Sequence, residues 1–270
     1  VSKVESPEAE SPDTECTIDG RVAHIRFVRP GQGNAFRPQT CREMIDHARA
    51  LAKMDDLGAI VVSGEGPIFC AGGDLAAFDE AEPLGDFVYD MAIDFHVFLD
   101  YFDRINAPTI AAIEGNVGGA GVSMVAAFDL GIIAENATFT LGYPAVGLTP
   151  DGSSSFYLSR AIGLKRALDF ALTNETIDAQ KALDWGLATR LAPAGETLDH
   201  AMELARSVAQ RDTVVLGETK KLIKEGTTRS LREAMAEETD RVAAMAARPE
   251  ARKKIRAFAD RQRQRRAARG

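Results

Sequence analysis

Apolar positions along the chain follow two alternating rhythms, and their alternation predicts the architecture. Residues 14–18 and 22–28 read as strands joined at Asp19-Gly20, a dipeptide suited to a tight hairpin turn. Residues 37–53 switch to a helical period through Met44, Ala48 and Leu51. The uninterrupted apolar run at 59–63 is the mark of a strand covered on both faces. Leu84, Val88, Met91, Phe95, Phe98, Phe102 and Ile105 recur every three or four residues, which predicts a long helix over 84–105 with one apolar face. An acidic loop, Asp79-Glu-Ala-Glu-Pro83, precedes it, and Asn106-Ala-Pro108 stops it. Further covered strands are predicted at 109–114 and 130–134, flanking an apolar helix at 122–128. Beyond residue 156 the pattern is helical at 164–172, 179–185, 198–210, 214–224, 231–247 and 250–263, with a short strand at 187–191. Strands alternating with helices define an α/β core in which crossover helices pack over a sheet. Residues 1–12 are rich in Ser, Pro and Glu and can bury almost nothing, so a disordered tail is expected there. The mixed core then spans 13–195 and a helical appendage 196–270.

Composition narrows the class. The 270 residues are 45% apolar and 27% charged, ample for a full core. No apolar run reaches membrane-spanning length, and the first residues are acidic and polar where a signal segment would be basic and apolar. Cys16, Cys41 and Cys70 cannot all pair and lack metal-ligand spacing, which predicts a reducing, cytoplasmic setting and no bound metal. A net charge of −8 argues against a general nucleic-acid binder. The charge is uneven, however, because residues 252–269 carry nine Lys and Arg against the single Asp260.

The stretch Gly115-Asn-Val-Gly-Gly-Ala-Gly121 lies between a covered strand and an apolar helix. Strand, glycine turn and helix together leave backbone N–H groups free where developing negative charge is stabilised. The run is not G-x-G-x-x-G and no G-K-[ST] follows, so an oxyanion site fits better than a phosphate cradle.

Three spaced motifs then point to a family: Phe69-Cys-Ala-Gly-Gly-Asp-Leu75, the 113–129 segment, and Gly147-Leu-Thr-Pro-Asp-Gly152. In this order they resemble the crotonase, or enoyl-CoA hydratase/isomerase, superfamily, and the resemblance runs from about residue 17 to 258. It implies a spiral core of ββα units with a helical C-terminal oligomerisation region, assembled as a homotrimer or homohexamer. It implies an acyl-CoA thioester as substrate, with coenzyme A carried as part of that substrate and no separate cofactor. The oxyanion donors it implies are the N–H groups of Gly73 and Ala120. Ala71 and Gly72 match the loop that meets the adenine, and Arg29 and the Gly33-Asn34-Ala35 turn lie where relatives approach the pantetheine and phosphates.

The departures bear on the reaction. Hydratases of this superfamily use two glutamates, and the matching positions here are Ser123 and, nearby in the later loop, Ala145. Neither side chain can position and deprotonate water, so a two-glutamate hydration is unavailable. Asp151, in Gly-Leu-Thr-Pro-Asp, sits where isomerases of the family carry a working aspartate; a helix cap is its other reading. The leading expectation is an enoyl-CoA isomerase with Asp151 as the acid/base. His96, Tyr143 and Asp151 also occupy the positions at which dehalogenating members carry histidine, tryptophan and a nucleophilic aspartate. A dehalogenase- or hydrolase-like acyl-CoA enzyme is therefore the alternative, and a non-catalytic scaffold or RNA-binding member the third reading.

Overall fold

The computed structural model describes residues 11–267, so most of the expected disordered tail lies outside the described residues. The chain divides into two compact units, 1–213 and 214–270. The first unit runs β1 (Thr14–Asp19), β2 (Val22–Phe27), α1 (Pro38–Leu51), β3 (Ala59–Gly64), β4 (Ile68–Cys70), α2 (Leu75–Asp79) and α3 (Leu84–Arg104). It continues through β5 (Thr109–Ile113), β6 (Asn116–Gly118), α4 (Ala120–Ala127), β7 (Leu130–Ala134), β8 (Thr138–Thr140), α5 (Ser154–Ile162) and α6 (Leu164–Thr173). It closes with β9 (Ile177–Asp178), α7 (Ala179–Trp185), β10 (Arg190–Ala192) and α8 (Thr197–Ala209).

The larger sheet has the order β1-β2-β3-β5-β7-β10, antiparallel at the β1–β2 hairpin and parallel elsewhere. Every residue of β5 and the first five of β3 are buried, because helices cover both faces. One face packs against α1 and the aromatic stripe of α3, where Phe95 stands 4.8 Å from both Phe36 and Phe98, edge to face. The opposite face packs Val61, Ile110 and Ile132 against Ala201, Ala205 and Ala209 of α8. These alanines recur every fourth residue, and small side chains let the helix lie close on the sheet. Helix α8, expected in the appendage, therefore belongs to the first unit.

A second sheet, β4-β6-β8-β9, went unforeseen. Its strands are two or three residues long, too short for any alternation to register. One of them, β6, occupies the segment expected to be only a turn, and α4 starts at Ala120, two residues before the apolar run suggested. The short strand expected at 187–191 falls at Arg190–Ala192 instead. Asp129 ties α4 back to the main sheet, its Oδ2 accepting from the Thr109 N–H at 2.8 Å and the Thr109 hydroxyl at 3.0 Å.

The second unit holds α9 (Thr213–Gly226) from its second residue on, α10 (Leu231–Ala247) and α11 (Pro249–Ala267). A reciprocal cap between Ser230 and Glu233 starts α10, and Arg241 bonds Glu237 at 2.6 Å and Glu225 at 2.7 Å. Leu231, Met235, Val242, Ile255 and Phe258 remain exposed on this unit. Among the described residues, no helix is long and apolar enough to cross a membrane.

Candidate active site

Two glycine loops meet where the small sheet ends. In the first, the Ala71 N–H donates to the Gly33 carbonyl at 2.9 Å, the Phe36 N–H to the Gly72 carbonyl at 2.7 Å, and the Asp74 N–H to the Phe36 carbonyl at 2.8 Å. The second loop carries Gly118, Gly119 and Ala120 into the start of α4. Gly72 has φ +99, and a Cβ there would lie 3.1 Å from the Gly118 carbonyl oxygen and 3.2 Å from the Ala120 nitrogen. Only glycine lets the loops approach this closely. Among the described residues, neither the Gly73 nor the Ala120 N–H has a protein acceptor. Both residues line a cavity of about 470 Å³ that is otherwise largely apolar, walled by Leu75, Phe78, Met91, Phe95 and Leu148.

Asp151 is the one carboxylate among the described residues lining that cavity. The Tyr143 hydroxyl donates to its Oδ1 at 2.5 Å and lies 3.3 Å from Ser123 Oγ, itself fully buried. Burial pushes the Tyr143 phenol well above its usual range, and the Asp151 charge and hydrogen bond push it further, so it stays a donor. The helix-cap reading of Asp151 does not hold, because α5 has Ser153 at its cap position and no side chain bonded to its first turn. The Asp151 carboxylate turns to Tyr143 instead.

His96 does not line the main cavity. With Asp100, Asp103, Ser153, Ser155 and Tyr157 it lines an outer cavity of about 440 Å³ whose wall also includes Asp151. His96 Nε2 accepts the Gly152 N–H at 3.1 Å, so that nitrogen carries a lone pair and anchors the backbone next to Asp151. Gly152 has φ +62, and a Cβ there would sit 2.5 Å from Phe95 Cε1 and 2.8 Å from Ser123 Cβ. Ser123 lies beneath the cavity lining and Ala145 is exposed on a short turn, Tyr143–Val146.

Of the residues assigned to coenzyme A by resemblance, Ala71 lines the cavity and Gly72 is buried in the loop contact. Arg29 and Ala35 stand behind the wall. Arg29 Nη1 donates to the Ala35 carbonyl at 3.1 Å and Nη2 to Asp74 Oδ2 at 3.2 Å, while Nε lies 3.4 Å from Asp13 Oδ1. Beside it Asn34 adopts φ +53, accepts the Arg29 N–H at 3.0 Å, and donates to the carbonyls of Glu65 at 2.9 Å and Ile68 at 2.7 Å. Sequence reading missed this job of Asn34, although an asparagine after glycine is a signal for the left-handed region. Among the described residues, no group of three or more His, Cys, Asp or Glu is placed to hold a metal ion.

A largely parallel sheet that, among the described residues, turns two unpaired backbone donors and one carboxylate toward an apolar cavity is a frame able to stabilise an oxyanion. A family model described as Enoyl-CoA hydratase/isomerase matches residues 17–266. The chain belongs to that family, and is thus an acyl-CoA enzyme of the crotonase superfamily. It is 35% identical over 230 residues to 4-chlorobenzoyl coenzyme A dehalogenase-2 of Arthrobacter sp, covering 84% of this chain and 83% of the relative. It is 26% identical over 216 residues to 1,2-epoxyphenylacetyl-CoA isomerase of Escherichia coli K12, covering 79% and 82%. Among solved structures, an enoyl-CoA hydratase from Polaromonas sp. JS666 superposes with a TM-score of 0.87 at 30% identity, covering 92% of this chain and 97% of that one.

Proposed function

We propose that the chain isomerises enoyl-CoA thioesters, moving a proton between C2 and C4 with Asp151 as the acid/base. The thioester oxygen lies against the Gly73 and Ala120 N–H groups, each contributing about 3 kcal/mol to the enolate by the usual scale of such donors. Asp151 takes the proton from C2 of a 3-enoyl thioester and, as Asp151-OH, returns it to C4 of the dienolate, leaving the conjugated 2-enoyl product. One observation carries this reading: among the described residues a single carboxylate faces the apolar cavity, with Oδ1 held by Tyr143 and Oδ2 left for the proton. Ala71 and Gly72 border the coenzyme A end of the substrate. Three unpaired thiols suit a cytoplasmic setting.

Asp151→Asn keeps the size of the side chain and removes the proton acceptor. Conversion of 3-enoyl- to 2-enoyl-CoA, followed by absorbance, should fall about 100-fold or more. His96→Gln should cost less, and full turnover in Asp151→Asn would overturn the assignment.

A second reading has Asp151 as a nucleophile toward an aryl thioester. It is favoured by the 35% identity to a dehalogenase and by the outer cavity, through which water could reach a covalent ester beside His96. A single turnover of a 4-halobenzoyl-CoA in ¹⁸O-water, followed by mass spectrometry of the Asp151 peptide, separates the two. Label in that carboxylate requires the nucleophilic route.

A further inference from the structure

The Gly73 N–H carries a role only if its direction is fixed, and the segment bearing it is a loop. Hydrogen bonds from the 33–36 segment hold both sides of it, at the Gly72 carbonyl and at the Asp74 N–H. That segment is not a strand of either sheet, so something must hold it in turn. Arg29 grips both pieces at once, the Ala35 carbonyl through Nη1 and the Asp74 carboxylate through Nη2. Its third contact, Asp13, is the most deeply buried carboxylate of the group, its side chain 1% exposed, and Asp13 is fixed by Arg37 at 2.8 Å and Thr40 at 2.6 Å. Asp74 also accepts from the Ala76 N–H at 3.2 Å, which starts α2 and sets Leu75 and Phe78 into the cavity wall.

We infer that Arg29 is a positioning residue: through Asp74 and Ala35 it aims the Gly73 N–H at the thioester oxygen, with buried Asp13 as its anchor. The inference rests on the oxyanion role of Gly73 proposed above. A guanidinium suits this task because its planar fork bonds a carbonyl and a carboxylate in fixed directions while its third nitrogen pairs with a second carboxylate, which an ammonium cannot do. Preorganised donors stabilise charge because they need no reorientation during the reaction, so loosening the support weakens the donor without removing it.

The test uses hexanoyl-CoA labelled with ¹³C at the carbonyl, a saturated thioester that binds without being isomerised. Binding to the wild type should move the carbonyl resonance downfield as the C=O is polarised. In Arg29→Gln that shift should shrink by half or more while affinity changes less than about threefold, and Arg29→Lys should restore only part of it. Asp74→Asn, which retains a good helix cap, should reduce the shift in the same way and guards against misfolding of the arginine variants. Full shifts in both Arg29→Gln and Asp74→Asn would overturn the inference. No downfield shift in the wild type would remove the oxyanion reading itself, and the inference with it.

Discussion

Gly152 is the position at which the backbone beside Asp151 is most tightly constrained, and replacing it by alanine tests the packing around the carboxylate. Two costs add. At φ +62 an alanine pays for the left-handed region, about 1–2 kcal/mol. Its Cβ would also lie 2.5 Å from Phe95 Cε1 and 2.8 Å from Ser123 Cβ, and both neighbours are buried, so overpacking adds about 1–3 kcal/mol. The sum, about 2–5 kcal/mol, corresponds to a fall in Tm of about 4–20 °C for a unit of this size. Gly147→Ala is the internal control: its φ is +72, yet nothing lies within 4 Å of the added carbon. It should lose only the conformational part, a drop of about 2–8 °C. Thermal denaturation of the two variants thus isolates the clash. Because relief of the clash must shift either Phe95 or the Asp151 backbone, Gly152→Ala should also lose about tenfold or more in turnover. Equal losses of stability in both variants would refute the reasoning.

Asp13 gives a prediction for pH. Burial acts to raise its carboxyl, but hydrogen bonds from Arg37 and Thr40 and the charges of Arg29 and Arg37 outweigh it, so the group is held below the usual range. A depressed carboxyl stabilises the fold above its unfolded value, about pH 4, and that contribution is lost as pH falls through the folded value. Asp13→Asn should therefore be about 2–4 kcal/mol less stable in urea at pH 7, with the gap narrowing below about pH 4; a gap independent of pH would count against the network. The exposed apolar residues of α10 and α11 predict self-association. Sedimentation should show a trimer or hexamer, and Leu231→Glu with Val242→Glu should shift it toward monomer; a wild-type monomer of 29 kDa at micromolar concentration would defeat the proposal.

The readable elements were those in which many residues repeat one instruction. Seven apolar residues at helical spacing made α3 plain, and the unbroken runs of β3 and β5 announced strands covered on both faces. The small sheet was invisible because Ile68–Cys70 or Asn116–Gly118 offers too few residues to show a period. Helix α8 was placed in the wrong part of the chain because its buried stripe is alanine, which carries little apolar signal of its own. At the site, Gly73 and Ala120 were named by resemblance to the family motifs, and the structure brings their two loops together through the close approach of Gly72 to Gly118 and Ala120. The assembly around them was hidden, because nothing local links Asp13, Arg29 and Asp74 across 61 positions of sequence. The pairing of His96 with the Gly152 N–H was equally out of reach, its partners lying 56 residues apart.

Ser123 and Asp151 are best understood together. Tyr143 Oη stands 3.3 Å from Ser123 Oγ and 2.5 Å from Asp151 Oδ1, so the two side chains meet across a single hydroxyl. A glutamate at 123 would bring a second carboxylate into the same buried pocket, where water is scarce and like charges repel strongly. The Tyr143 hydroxyl could donate to only one of them. A neutral serine removes that conflict and leaves Asp151 as the carboxylate that, among the described residues, faces the apolar cavity. The backbone donors at Gly73 and Ala120 are indifferent to the exchange, because N–H groups do not depend on which side chain supplies the proton. Under the proposed mechanism, the same pair of backbone donors serves the thioester while the acid/base stands on the segment that precedes α5 instead of on α4.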